Sequence, residues 1–196
     1  MNYKLSLLAE IHSGMVLSRK EAPRECSSAF IYKRITLRSL SETGFLREEL
    51  EDYHSREKIE PSFITKPGDV LVRLCMPINP VYLGKDQKGA IIPSQIAVIR
   101  VAETGKILPE YLRWYLSQKS ISDALQAAEH GTAQRTIKVK SIMELNIEVP
   151  TLNLQQQIGR IDILSKQREQ LYQDLMIQER LQTEKVIASI MGGNVK

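Results

Sequence analysis

Thirteen polar side chains have the chemistry needed to contact nucleic acid. Arginine and lysine donate hydrogen bonds to phosphates and to guanine O6 and N7, and glutamine can bond adenine N6 and N7 in a bidentate way. The candidates are Lys20, Arg24, Arg34, Arg38, Arg73, Lys85, Lys88, Gln95, Thr132, Gln134, Arg135, Lys138 and Lys140. Taken singly, each of these residues is more often a solvated surface group than a contact, so an ordinary charged surface is the alternative interpretation.

No set of residues typical of an active site is present. The sequence contains no G-x-S-x-G, no P-loop, no H-E-x-x-H and no paired-cysteine metal spacing. The segment Asn79-Pro80-Val81-Tyr82 resembles the Asn/Asp-Pro-Pro-Tyr/Phe motif of amino-methyltransferases, but it lacks the second proline. A glycine-rich strand-turn-helix for a methyl donor is also missing. We therefore expect a non-catalytic protein with no metal site and no cofactor.

Charge is distributed unevenly along the 196 residues. The net charge is only +4, and 42% hydrophobic with 26% charged residues is typical of a globular protein. Residues 1–41 carry seven Lys/Arg against three Asp/Glu, whereas residues 42–60 carry three against seven. The acidic segment is expected to face away from any phosphates. With no long apolar run and a charged N-terminal segment, the sequence predicts a cytoplasmic location.

The first 150 residues predict a mixed β domain with one helix. Strands are predicted at 30–37, 69–76, 90–101 and 145–150, with a short extended piece at 137–139. Arg73 interrupts the apolar strand 69–76, and we expect it to point to a groove or a partner. Pro109 and the acidic Glu110 mark the start of a helix from 108 to 131. The expected fold class is α+β.

Residues 153–191 predict one long helix. Asn153 and Gln156 can form a reciprocal cap at its start, and Gly159 is its only glycine. At 1.5 Å per residue it would reach roughly 55–60 Å and must protrude from the domain. Apolar residues recur on it at three-, four- and seven-residue spacings. This apolar stripe consists of Leu154, Ile158, Ile161, Leu164, Leu171, Leu175, Leu181, Val186 and Ile190. Such a stripe favours pairing with another helix.

Several motifs in this order resemble the specificity (S) subunits of type I restriction-modification enzymes. The resemblance begins with Leu5 to Gly14 and includes Pro67-Gly68-Asp69-Val70-Leu71, Ser94-Gln95, Leu108-Pro109-Glu110, Gly131-Thr132-Ala133-Gln134, Ile147-Glu148-Val149-Pro150 and Gln155-Gln156-Gln157. It covers nearly the whole chain. Members of that family usually carry two recognition domains and two helices in about twice this length, so the resemblance implies a half-size form.

The resemblance implies a mixed β target-recognition domain at 1–150, followed at 151–196 by a helix that acts as spacer, dimerisation region and docking region. Two copies would form a homodimer through an antiparallel coiled-coil pair and read double-stranded DNA, one half-site per subunit. Catalysis and cofactors would reside in methyltransferase (M) and restriction (R) subunits. The alternative is a protein-interaction adaptor that oligomerises through its helix without binding DNA.

Overall fold

Mixed β-sheets and three short helices form a head, from which one long helix projects. The computed structural model describes residues 1–23, 30–46, 50–101, 105–128 and 136–193. The strands are β1 (Asn2–Lys4), β2 (Ala9–Ser13), β3 (Phe30–Arg34), β4 (Glu51–Ser55), β5 (Val70–Arg73), β6 (Val81–Tyr82), β7 (Ala90–Ile91), β8 (Ile96–Val101) and β9 (Asn146–Glu148). The helices are α1 (Pro109–Leu116), α2 (Lys119–Ala128), α3 (Val139–Met143) and α4 (Leu152–Gly193). The predicted α+β class with a long C-terminal helix is confirmed.

The central sheet has the strand order β2-β8-β5-β6 and is antiparallel throughout. Its strand β5 is buried on both faces, as its continuous apolar sequence predicts. Val70 and Val72 pack on the side of α1, whereas Leu71 packs on the other side with Val98. The sheet therefore separates two apolar cores, and side chains that alternate along β5 serve one core each.

The second sheet has the order β4-β3-β7, in which β3 and β7 are parallel. The prediction of one strand over 90–101 is wrong, because Ala90–Ile91 joins this sheet and Ile96–Val101 joins the central one. Pro93 lies at the break, where the absence of a backbone N–H ends the ladder. The loop between β7 and β8 therefore joins the two sheets and is held at both of its ends.

The prediction of a single helix over 108–131 is also wrong. The structure has two helices, Pro109–Leu116 and Lys119–Ala128, and residues 129–131 lie outside the described part. Ser117 ends the first helix, and its hydroxyl donates to the Trp114 carbonyl at 2.7 Å. Serine competes for backbone groups in this way and favours a break. The piece predicted as extended at 137–139 leads directly into α3, which begins at Val139.

The long helix α4 is confirmed over 42 residues, a length of about 63 Å at 1.5 Å per residue. It begins at Leu152, so the predicted cap by Asn153 is wrong: Asn153 lies inside the first turn. The first strand lies beside the start of this helix, because β1 pairs with β9. The Val149 N–H also donates to the Met1 carbonyl at 2.8 Å. The segment that leads into α4 is therefore fixed to the head by its bonds to β1 and Met1.

Candidate nucleic-acid interface and helix surface

Three segments that carry predicted DNA contacts meet at the carboxyl end of β5. The Leu74 N–H donates to the Gln95 carbonyl (2.8 Å), and the Ile137 N–H donates to the Leu74 carbonyl (3.0 Å). Gln95 and Lys138 therefore lie close to the backbone that follows Arg73, and both are exposed. This end of the central sheet brings together part of the predicted contact set.

The Arg73 side chain itself is used inside the head. Its Nη2 donates to the carbonyls of Leu37 (2.6 Å) and Leu40 (2.5 Å), and the residue is half-buried. These bonds hold the turn that contains Leu37 and Leu40 against β5. Arg73 is expected to point to a groove or a partner, and it does line a cleft between the head and α4. Its Nη2 donor bonds within the head and stabilises its fold.

The acidic segment 42–60 lies beside two predicted contacts instead of away from them. Lys20 Nζ lies 2.7 Å from a Glu57 oxygen, and the hydrogen bond with Glu57 raises the pKa of Lys20. Arg34 donates through Nε (3.0 Å) and Nη2 (2.5 Å) to a single Glu51 oxygen. Both cations are thus partly neutralised by neighbouring carboxylates, which weakens any attraction to phosphates.

Lys85 and Lys88 lie at the opposite end of β5 from Gln95. Their loop follows β6, and the Leu83 N–H donates to the Asp69 carbonyl just before β5 begins (2.9 Å). Both lysines are exposed. The four residues of β5 separate the two ends by roughly 13 Å. The predicted contacts therefore do not form one continuous patch.

The remaining predicted contacts divide into two groups. Arg38 and Lys140 are exposed, and Lys140 Nζ lies 3.9 Å from a Glu144 oxygen one turn away on α3. Four predicted contacts lie outside the described residues: Arg24, Thr132, Gln134 and Arg135. The last three belong to the segment between Ala128 and Thr136, and Thr136 forms an isolated bridge with Cys75. Thr136, the first described residue after that segment, therefore lies at the same sheet end as Gln95.

A cleft of about 1520 Å³ separates the head from α4. Its lining mixes polar residues, such as Arg38 and Asp174, with apolar ones. The apolar residues are Leu40, Phe45, Leu46 and Leu50 from the head and Leu171 and Ile177 from α4. The cleft therefore brings α4 close to the head without burying Leu171 or Ile177, which are 68% and 58% exposed.

The apolar stripe on α4 is exposed over most of its length. Leu171 is 68% exposed and Leu175 51% exposed, and Leu154, Ile161, Leu164, Leu181, Val186 and Ile190 are exposed as well. Leu171 lines the cleft between α4 and the head, but the head leaves most of its side chain accessible. Nothing described in the chain covers this surface, so its burial requires another molecule.

Ile158 is the exception in the apolar stripe. It is half-buried and packs against the core on the α1 side of the central sheet. In this structure Ile158 attaches α4 to the head, and its assignment as a dimerisation residue stays a prediction. The other residues of the stripe retain the exposure that pairing requires.

Polar residues to which the sequence analysis gave no such role attach α4 to the head. Gln155 is fully buried, and its Nε2 donates to the carbonyls of Lys106 and Pro150 while its Oε1 accepts from the Leu108 N–H, each at 2.9 Å. Four residues later, Gly159 lies against α1, where an added Cβ would come within 2.9 Å of the Glu110 Cβ. The single glycine in a long helical pattern was the available signal for this close approach.

One turn beyond Gly159, Asp162 accepts a hydrogen bond from Arg113, which is 3% exposed. Further along, Gln170 Oε1 accepts from the Thr43 hydroxyl at 2.8 Å. Sequence periodicity could not reveal these polar contacts, because they join residues that are distant in the chain. Together with Gln155, they give α4 three hydrogen-bonded attachments on one face.

The described residues contain no group of three or more His, Cys, Asp or Glu side chains that could hold a metal ion. In the same part of the chain, no helix is long and apolar enough to cross a membrane.

Three solved structures share this fold. The chain matches the HsdS subunit of Thermoanaerobacter tengcongensis with a TM-score of 0.68 and 17% identity, over 95% of this chain and 47% of that one. A chain from a structure of type I restriction-modification complex assembly gives 0.68 and 16%, over 97% and 48%. The S subunit of a type I system from M. genitalium gives 0.59 and 16%, over 94% and 44%. No family model and no curated protein sequence matches the chain.

These matches define a class of fold: a mixed β domain joined to a long helix. More particularly, the chain has the fold of one half of a type I restriction-modification S subunit, as the sequence motifs predicted. It spans about half the length of the S subunits that it matches.

Proposed function

We propose that this protein is a specificity subunit of a type I restriction-modification system. In this role the head, residues 1–150, recognises one half-site in double-stranded DNA. The helix at 151–196 serves as spacer, pairing surface and docking region for M subunits and R subunits. The observation that carries the proposal is the match to S subunits over 94–97% of the chain, which includes both the head and the helix.

The DNA surface is proposed at the carboxyl end of β5. Gln95 and Lys138 are exposed there, and Gln134 and Arg135 come directly before Thr136, which bridges to Cys75 at this end. These residue types can read base edges and bind phosphates. Because Lys20 and Arg34 are paired with carboxylates and Arg73 holds a turn, we place them outside this surface.

A salt titration separates DNA recognition from the adaptor alternative. A head that contacts several phosphates loses affinity steeply as salt rises, because binding releases condensed counterions. We expect binding to a library of duplexes that weakens at least about tenfold between 50 and 200 mM salt, together with one enriched sequence. An adaptor would give neither the salt slope nor an enriched sequence.

The contact surface is tested by changing Gln134 and Arg135 to Ala. We expect weaker DNA binding with an almost unchanged melting temperature. The matched control is Lys85→Ala with Lys88→Ala, which removes two exposed cations at the other end of β5. If the control variant lost as much affinity and sequence preference as the Gln134 and Arg135 variant, the proposed surface would be in the wrong place.

Pairing is proposed through the exposed apolar stripe of α4, with a second copy as the partner. Replacing Leu171 and Leu175 with Glu places charges on the exposed stripe and should give monomers in analytical ultracentrifugation. The control replaces Gln173, an exposed polar residue about half a turn around the helix from Leu171, with Glu. An unchanged dimer in the leucine variant would place the pairing surface elsewhere.

Partner docking is tested by co-purification with a type I M subunit. If the proposal holds, the complex methylates adenines in one duplex sequence, and the M subunit without this protein does not. Mapping the methylated adenines then gives the two half-sites and their spacing. Methylation at unrelated positions, or no complex at all, would contradict the proposal.

A further inference from the structure

A buried arginine joins three elements of the chain where α4 leaves the head. Arg113 lies on α1 and is 3% exposed. Its Nη1 donates to an Asp162 oxygen on α4, and its Nη2 donates to the Thr43 carbonyl at 3.0 Å. One guanidinium therefore ties α1, the loop around Thr43 and the long helix together, and its planar shape fixes the direction of each bond.

The loop is shaped around this guanidinium. Gly44 follows Thr43 with φ +82°, a conformation that side chains rarely adopt. A Cβ at Gly44 would lie 1.8 Å from Arg113 Nη2, so the space next to the arginine exists only because residue 44 has no side chain. This close fit indicates that the position of Arg113 is specified by the fold around it.

The same loop also contacts α4 directly, two turns beyond Asp162. The Thr43 hydroxyl donates to Gln170 Oε1 (2.8 Å) and lies 2.9 Å from the Ser41 hydroxyl. Asp162 and Gln170 are eight residues apart, about 12 Å along the helix. Two contacts at this separation, one to Arg113 and one to Thr43, restrict the angle at which α4 can leave the head.

Small changes of that angle are amplified along the rest of the helix. From Gln170 to Gly193, α4 extends by about 35 Å, so a 10° rotation at the attachment would move its far end by about 6 Å. The rise of one DNA base pair is about 3.4 Å. In a pair of chains joined through α4, such a rotation would change the separation of the two heads by one to two base pairs.

We propose that Arg113 and Asp162 are positioning residues, whose buried contact fixes the angle between head and helix and thereby the half-site spacing that a pair of heads accepts. The angle concerns this chain alone, whereas the spacing rests on the proposed function. A buried ion pair suits this task because its desolvation cost offsets its attraction, while its directional bonds select one geometry.

The angle is measured as a distance between spin labels, one on the head at Lys88→Cys and one on the helix at Ile187→Cys, in a chain with Cys26→Ser and Cys75→Ser. Ile187 is exposed, lies outside the apolar stripe, and follows Gln170 by about 26 Å along the helix. Labelled chains are diluted with unlabelled ones, so only distances within one chain are observed. The parent protein should give one narrow distance. Asp162→Asn keeps the size of the side chain and removes its charge, and it should broaden the distribution by about 4 Å, the displacement expected at residue 187 from a rotation of about 10°.

The matched control is Glu179→Gln, which removes an exposed carboxylate from the same helix and should leave the distance unchanged. Arg113→Lys gives a second test that keeps the charge but loses the two-pronged contact to Asp162 and Thr43. Circular dichroism verifies that each variant is folded. If Asp162→Asn does not fold, the distance distribution of Arg113→Lys tests the inference instead. A narrow, unchanged distance in a folded variant overturns the inference.

The DNA arm of the test uses duplexes with the two half-sites moved apart by one or two base pairs. The parent protein should bind its preferred spacing at least about tenfold more tightly than its neighbours, a difference of about 1.4 kcal/mol, and Asp162→Asn should reduce this preference severalfold at similar best affinity. Broadened distances in a protein that binds no DNA would refute the proposed function and leave the positioning role intact. Broadened distances with an unchanged spacing preference would refute the link between angle and spacing.

Discussion

Replacement of Gln155 by Ala removes three hydrogen bonds at the root of α4. The fully buried amide bonds the Lys106 and Pro150 carbonyls and the Leu108 N–H, each at 2.9 Å. Loss of a hydrogen bond that leaves a polar group unpaired costs about 1 kcal/mol or more. The variant should therefore lose about 3 kcal/mol of unfolding free energy, or about 6–12 °C in melting temperature for a chain of this size.

Gln156 and Gln157 provide matched controls, because they lie on the same turn of α4 but are exposed. Replacing either with Ala should change the unfolding free energy by less than about 0.5 kcal/mol. Denaturant unfolding monitored by circular dichroism measures all three variants under one protocol. If Gln155→Ala lost no more stability than Gln156→Ala, the three hydrogen bonds would not contribute as argued.

A Gln155→Glu variant distinguishes hydrogen bonding from packing, since it preserves size and shape. An ionised carboxylate can accept from the Leu108 N–H but cannot donate to the Lys106 and Pro150 carbonyls. We expect a loss at neutral pH at least as large as that of Gln155→Ala. Burial raises the folded-state pKa of such a carboxyl, so stability should recover at acidic pH and fall as pH rises through that pKa. A pH-independent loss would point to packing.

Three further substitutions test the packing of the head and its contact with α4. Gly159→Val should lower the unfolding free energy by about 1–3 kcal/mol, because the added atoms meet α1. Helix propensity alone predicts a higher melting temperature, and that result would contradict the close approach. Tyr111→Phe removes a 2.7 Å bond to the Glu148 carbonyl and should cost about 1 kcal/mol near pH 7. Burial raises the pKa of Tyr111 to about 12 from 10, so the parent protein should lose stability as pH rises from 10 towards 12. The Phe variant has no hydroxyl to ionise, so its unfolding free energy should fall less steeply over this pH range. Asp69→Ala breaks its buried pair with Arg100 (3.0 Å) and should cost about 3–5 kcal/mol in denaturant unfolding, and a cost below 1 kcal/mol would show that the site readjusts.

Sequence patterns predicted the elements that depend on local periodicity. The long helix was predicted from its repeating apolar stripe, and the buried strand around Leu71 from its continuous apolar run. Both patterns are visible within a short window of sequence. The boundaries were less accurate: the helix begins one residue before Asn153, and the strand predicted through Pro93 divides between two sheets. Local patterns do not reveal which sheet a short strand joins.

The predicted site was limited by the same physics. Residue type identified Arg73 and Lys20 as possible DNA contacts, but their partners, the Leu40 carbonyl and Glu57, come from segments more than thirty residues away. The Arg113 contact with Asp162 spans 49 positions and gives no local pattern. Cations that bond their own fold and cations that await a ligand look alike in a sequence, and only the folded chain separates them.

The first and last strands of the head, β1 and β9, are paired with each other, so the two ends of the head lie side by side. Tyr3 pairs with Ile147, so the chain enters and leaves the head at almost the same point, directly beside the start of the rod. A module with adjacent ends can be exchanged or circularly permuted with little effect on what it is joined to. A different head could therefore be grafted onto α4 at residues 2 and 148 while the exposed apolar stripe of the helix stays the same.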